Sequence, residues 1–402
     1  MNAVAPLASM RVRLALARSC AWSLLLAGWV GIGSLALVLA PIDWRAYAVV
    51  ALWLLALGAA AAVAPSGALR PLARGVALLV AALATAGGVW MSLRGGAMPA
   101  LWLAVLGWAV LTALASGVVR SLRLAQASAP SPPIVAAAGG ALMAALVLGD
   151  LADSVGLASR LAGFVIATAA LLLALQSGTA SPSRAGCRAG LFDCSLPAWP
   201  AGAWHDLQSW PMLLAGVAML PMMASLPLIS AWCRVGAIPP QDVVLLHFGA
   251  MFGPVLVLRH KVVTWSVQRL AAACAVALGA GAVVVLTAPA PYDMLGLAFA
   301  HGAAWGLAWA GQLWAPTRRG QQGSSPWHAG IGYASLTLAL GIAVNRFGAV
   351  GVTAIHVVLA TVAVVAWLGA VALARARARG DATGDNRASP SHKASWPQVR
   401  KG

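Results

Sequence analysis

Apolar residues run along this chain in long blocks, each closed by a charge or by a Pro/Gly-rich break, and not in the short alternation of a strand. Twelve such blocks fall near 19–40, 45–64, 73–92, 98–119, 133–149, 158–176, 209–232, 241–258, 269–288, 293–315, 327–345 and 349–374. A helix of roughly 20 apolar residues spans the ~30 Å hydrocarbon core of a bilayer, so the pattern predicts twelve transmembrane helices. The fifth and sixth are short and are separated by Asp150 and Asp153. The first block is long and is followed by no small-residue cleavage site before a soluble domain, so it is expected to remain as a span.

Composition supports this reading. The chain is 61% hydrophobic and 9% charged over 402 residues, which is far from a soluble globular domain and indicates an all-α polytopic membrane protein. Lys and Arg accumulate on the cytoplasmic side of membrane proteins. With the N-terminus inside, every Lys and Arg lies on inner segments except Arg45, Arg94, Arg160, Arg234 and Arg346, so both termini are expected in the cytoplasm. The formal net charge of +17 then reports topology and contact with anionic lipid, not nucleic-acid binding.

The connection after the sixth span, "SGTASPSRAGCRAGLFDCSLPAWPAGAWHDLQS", is polar, rich in Pro, Gly and Ser, and much longer than the others. It predicts an N-terminal six-helix bundle over 1–176, a cytoplasmic linker over 177–208, a C-terminal six-helix bundle over 209–374, and a disordered basic tail over 375–402. This layout resembles the major facilitator superfamily, whose halves rock about a midplane site. "PSGALRPLARG" at 65–75 is similar to the superfamily's Gly/Arg-rich inner loop, without its acidic residue, and "APTRRG" at 315–320 is similar to its Pro-x-Arg-Arg-Gly turn.

Several chemistries are excluded. No GxxxxGK[ST] loop occurs, which argues against ATP-driven pumping. The chain has no glutamate, and its aspartates, Asp43, Asp150, Asp153, Asp193, Asp206, Asp242, Asp293, Asp381 and Asp385, fall in loops, in the tail or near span ends. A carboxylate-based proton relay is therefore disfavoured. No catalytic set converges within the spans, so no enzyme is expected. The five cysteines, Cys20, Cys187, Cys194, Cys233 and Cys274, are scattered without a CxxC pair, and a disulfide between Cys187 and Cys194 in a cytoplasmic loop is not expected.

Sulfur and imidazole remain. Met219 and Met223 lie four apart on the seventh span, and His247 and Met251 lie four apart on the eighth. Residues i and i+4 share a helix face, so each pair can aim two side chains at one point. Because the two spans run in opposite directions, Met219 and Met251 fall near mid-depth, with Met223 and His247 a turn closer to the outside. Thioether and imidazole are soft or borderline, uncharged ligands, better matched to Cu(I) than to Mg, Ca or Mn. Neutral ligands also suit an ion that must leave again. Pro221, Pro227 and Pro254 interrupt the same helices, as in carriers whose sites sit beside broken helices. The competing reading is that Met fills gaps in an apolar core and that a buried His is simply hydrogen-bonded.

The MxxxM and HxxxM pairs on consecutive spans resemble the signature of the CcoA-like copper importers, a branch of the major facilitator superfamily. That resemblance implies copper uptake across the bacterial inner membrane for assembly of a cbb-class cytochrome oxidase, with Met219, Met223, His247 and Met251 as metal ligands. Copper would be the transported substrate and not a resident cofactor, and a cytoplasmic copper chaperone or export ATPase would receive it. Lacking a pump module and a buried carboxylate, transport is expected to run downhill. Two alternatives stay open: a carrier of a small organic solute such as riboflavin, and a membrane copper holder that transports nothing.

Secondary candidates are Cys233, at the outer end of the seventh span, and His301 with Met294 on the tenth; for each, a structural thiol or a packing His is the simpler reading. His356 and Met212 and Met222 read as structural. Trp44, Trp90, Trp210, Trp232, Trp314 and Trp327 sit near span ends as interfacial anchors.

Overall fold

The computed structural model describes residues 4–39, 44–63, 71–95, 98–125, 133–149, 154–176, 207–219, 223, 226, 238–262, 264–314 and 326–384. Among these, twelve α-helices and no strand occur: α1 Val4–Leu39, α2 Trp44–Val63, α3 Pro71–Gly95, α4 Met98–Ala125, α5 Pro133–Leu148, α6 Ser154–Gln176, α7 Trp210–Met219, α8 Pro240–Val262, α9 Val267–Thr287, α10 Tyr292–Trp314, α11 Pro326–Phe347 and α12 Ala349–Gly384. Each predicted span overlaps a helix, the seventh over Trp210–Met219 among the described residues. Six of them are long and apolar enough to cross a membrane, and α2, α5, α7 and α8 contain shorter apolar stretches.

Local chemistry sets the ends. Pro71, Pro133, Pro240 and Pro326 stand at first helical positions, where a missing N–H costs nothing. Asp242 lies in the first turn of α8, favourable against the helix dipole. Ser266 caps α9 by accepting from the Arg269 N–H at 3.3 Å. The chain leaves α5 through Gly149 at φ 47°, a left-handed cap that glycine adopts without strain. Arg160 donates to the Val147 and Leu148 carbonyls there, at 3.1 and 3.4 Å.

Two helices differ from expectation. α1 begins at Val4, well before residue 19, because Leu, Ala and Arg are strong helix formers and its basic residues do not end the helix: Arg18 is buried, and Arg13 donates to the Leu175 carbonyl. α12 continues to Gly384 through "ALARARARGDATG", so 375–384, expected to be disordered, is helical for the same reason. The expected linker over 177–206, "APTRRG" at 315–320, the tail beyond 384, and Pro221, Pro227, Cys187, Cys194 and Cys233 lie outside the described residues.

The helices form two six-helix bundles with matching contacts. α3 packs on α4 and α6, and α2 on α4; six helices later, α9 packs on α10 and α12, and α8 on α10. The bundles meet through α2 with α11 and α5 with α8, two pairs that exchange under the same six-helix shift. The fold is thus pseudo-symmetric. Outward faces are apolar: Leu72, Val257, Leu286 and Val350 are all exposed, as expected for side chains that meet acyl chains.

An aromatic cluster joins the bundles near their centre. Trp22 of α1 packs edge-on against Phe252 of α8 at 5.9 Å and against Trp305 and Trp309 of α10 at 6.0 and 5.3 Å, while Trp305 and Trp309 stack at 5.7 Å. Edge-to-face and offset ring pairs stabilise beyond their area alone. Trp22→Ala is expected to cost about 3–5 kcal/mol and to lower the thermal midpoint of the detergent-purified protein, as measured by tryptophan fluorescence or size-exclusion after heating.

Candidate metal path

Helix α8 carries His247 and Met251 one turn apart, and both point into the protein. With Met219 at the end of α7 and Met223 beyond it, each of the four side chains is at most 2% exposed. None faces lipid. Pro254 lies three residues past Met251 inside α8, where it removes one helical hydrogen bond.

His247 has two chemically different nitrogens. Nδ1 lies 2.7 Å from the carbonyl oxygen of Ala298 on α10. A carbonyl only accepts, so Nδ1 carries the hydrogen and donates. Nε2 of the neutral ring is then a bare lone pair, and it is buried without a hydrogen-bond partner. A buried polar atom left unpaired costs on the order of 1–3 kcal/mol. Metal-binding imidazoles show this arrangement: one ring N–H is held by a carbonyl, which fixes the tautomer and aims the other nitrogen.

Helix α10 organises the neighbourhood. It donates the Ala298 carbonyl to His247, and one turn later His301 Nδ1 donates to the Ala218 carbonyl at 3.1 Å. Ala218 immediately precedes Met219. The MxxxM and HxxxM segments therefore both anchor on α10 within a single turn, His247 directly and Met219 through the preceding residue, Ala218.

The approach of α8 to α10 depends on glycine. A Cβ on Gly302 would lie 2.7 Å from the His247 carbonyl oxygen and 3.1 Å from the Met251 nitrogen, and one on Gly306 would fall on the Met251 carbonyl. Small residues let membrane helices pack backbone to backbone, and here they set the height of His247 against Ala298. The Trp22 cluster follows directly: Phe252 adjoins Met251, and Trp305 lies one turn beyond His301. Towards the C-terminal ends of α8 and α10, the layer containing His247 is thus covered by aromatic rings.

Two histidines read from sequence as packing residues form a pair. His301 on α10 and His356 on α12 are buried, with ring centroids 4.1 Å apart and His301 Nε2 against His356 Nδ1. His356 Nε2 lies 3.2 Å from the Leu278 carbonyl. The sequence signal for the pair was weak: His301 lies nine residues and His356 seven residues past the start of its helix, about as far as His247, and no local motif links them. Met294 is buried near the start of α10. Cys274 donates to the Ala304 carbonyl at 3.4 Å. Among the described residues, no three His, Cys or Asp side chains gather as a metal-binding group.

No family model and no curated protein matches the chain. Solved structures do. The crystal structure of the nucleoside transporter NupG matches with a TM-score of 0.60 at 16% identity, covering 92% of this chain and 99% of that one. A POT family transporter in complex with 5-aminolevulinic acid matches with a TM-score of 0.57 at 12% identity, covering 89% of this chain and 95% of that one. At these identities the likeness establishes the fold, which is that of major facilitator-type transporters, an all-α polytopic membrane architecture.

Gly302→Ala tests the geometry without removing any ligand atom. It is expected to push α10 from α8, misplace the His247 ring and weaken Cu(I) binding about 10- to 100-fold, the range for lost metal-site support. Competition against a chromogenic Cu(I) chelator measures this.

Proposed function

We propose that this chain is a copper importer of the bacterial inner membrane, working by alternating access, with Met219, Met223, His247 and Met251 as transient ligands. The observation that carries the reading is the bare, buried Nε2 of His247, on a ring whose Nδ1 donates to the Ala298 carbonyl. Hard cations prefer oxygen, and among the described residues no carboxylate is buried; an uncharged set of imidazole and thioether suits Cu(I) and releases it more readily than thiolates would. The fold supports a carrier role, since its structural neighbours are transporters.

In the topology read from Lys and Arg, α8 and α10 run from outside to inside. The Trp22, Phe252, Trp305 and Trp309 cluster then closes the cytoplasmic side of the ligand layer. Copper reaches the sulfur and imidazole groups from outside, the two bundles rock, and cytoplasmic binding partners draw the ion off downhill. The copper supplied serves assembly of a cbb-class oxidase.

Radioactive copper accumulation in cells expressing the chain is the direct test. Met219→Ala, Met223→Ala, His247→Ala and Met251→Ala are each expected to cut uptake about tenfold or more at unchanged membrane levels; uptake equal to wild type in all four removes the reading. Sealed proteoliposomes separate the rivals. A carrier accumulates copper inside, a holder binds it in detergent and accumulates none, and a vitamin carrier transports riboflavin in competition with any copper flux. Loss of copper uptake when a proton gradient is dissipated would overturn downhill transport.

A further inference from the structure

The two buried histidines of α10 and α12 pose a chemical problem. His301 Nδ1 lies on the Ala218 carbonyl and His356 Nε2 on the Leu278 carbonyl, at 3.1 and 3.2 Å. Two neutral rings bring two hydrogens to three contacts, and with each carbonyl, which can only accept, taking one, the contact between the rings has none. In neutral rings the remaining nitrogens, Nε2 of His301 and Nδ1 of His356, are both bare lone pairs, and these are the two that face each other. Two acceptors in contact repel unless a cation lies between them.

We infer that His301 and His356 form a second soft-metal site, a two-nitrogen station for Cu(I) beside the Met/His layer. Cu(I) is a closed-shell ion that accepts two opposed neutral ligands, and imidazole suits copper. Both rings already have the support of metal-ligating histidines, an N–H held by a backbone carbonyl. Bridging needs nitrogens about 4 Å apart, given metal–nitrogen bonds of about 2 Å. The two nitrogens are closer than that here, so binding requires the rings to part; an apolar cavity bordered by both, with Leu297, Leu340, Val352 and Ile355 in its walls, adjoins them.

The position fits a relay. His301 is tied to the residue before Met219 and lies one turn from the carbonyl that holds His247, so an ion leaving the first layer meets the pair along α10. The pair also joins α10 to α12, while α9 supplies the Leu278 carbonyl. Filling it would tie three helices of one bundle together. That the ion is copper rests on the proposed function; that the two lone pairs need a cation does not.

Anaerobic Cu(I) titration of the purified full-length protein against bathocuproine disulfonate counts the sites. Wild type is expected to bind two ions, His301→Gln and His356→Gln one each, and the quadruple variant Met219→Ala, Met223→Ala, His247→Ala, Met251→Ala one. Because the quadruple variant leaves the pair intact, its copper X-ray absorption spectrum is expected to show two nitrogen neighbours and no sulfur. Unchanged stoichiometry in both His→Gln variants, no copper on the quadruple variant, or sulfur in its spectrum overturns the second site. So does a change in proton-dependence of transport in the His→Gln variants with copper stoichiometry intact, which would make the shared cation a proton. Copper lost from the His→Gln variants but fully kept by the quadruple variant would instead remove the Met/His layer and leave the pair.

Discussion

The hydrogen bond from His247 Nδ1 to the Ala298 carbonyl, 2.7 Å long and fully buried, decides what this membrane interior can do. Without it the imidazole could present either nitrogen and could turn towards any acceptor. With it the ring is locked in one tautomer, and its other nitrogen is left buried and without a hydrogen-bond partner. The glycines at 302 and 306 are what let α8 come close enough to α10 for the bond to form. Backbone packing, side-chain tautomer and ligand availability are thus one connected constraint.

The bundles surround that constraint. Contacts repeat under a shift of six helices, and the bundles meet through α2 with α11 and α5 with α8; the proposed rocking would take place at these two seams. The aromatic cluster around Trp22 is the central contact that must open for anything held beside Met251 to move past it. Its four rings bring no charge to the path, so they block by bulk and not by binding.

Much of this was legible in the sequence. Twelve apolar runs match twelve helices because run length against bilayer thickness is a strong signal; Asp150 and Asp153 lie outside the described residues. The extra length of α1 and α12 was not legible, because Arg reads as the end of a span yet is a good helix former. Met219, Met223, His247 and Met251 stood out through i, i+4 spacing. The parts that give them meaning did not: Ala298 contributes only a carbonyl, which every residue has, and Trp22 falls beside the predicted span start at residue 19, so that only the extension of α1 back to Val4 places it in mid-helix. His301 and His356 are 55 residues apart on helices that are not neighbours in the chain, so only the folded arrangement reveals that their bare nitrogens meet.

The central claim is that thioether sulfur and the His247 imidazole bind one copper ion together. X-ray absorption at the copper edge, on protein carrying His301→Gln and His356→Gln and loaded with a single Cu(I), measures this directly. The account predicts mixed sulfur and nitrogen neighbours, with the nitrogen contribution lost on adding His247→Ala. A copper environment of nitrogen and oxygen alone, unchanged by that substitution, would contradict it.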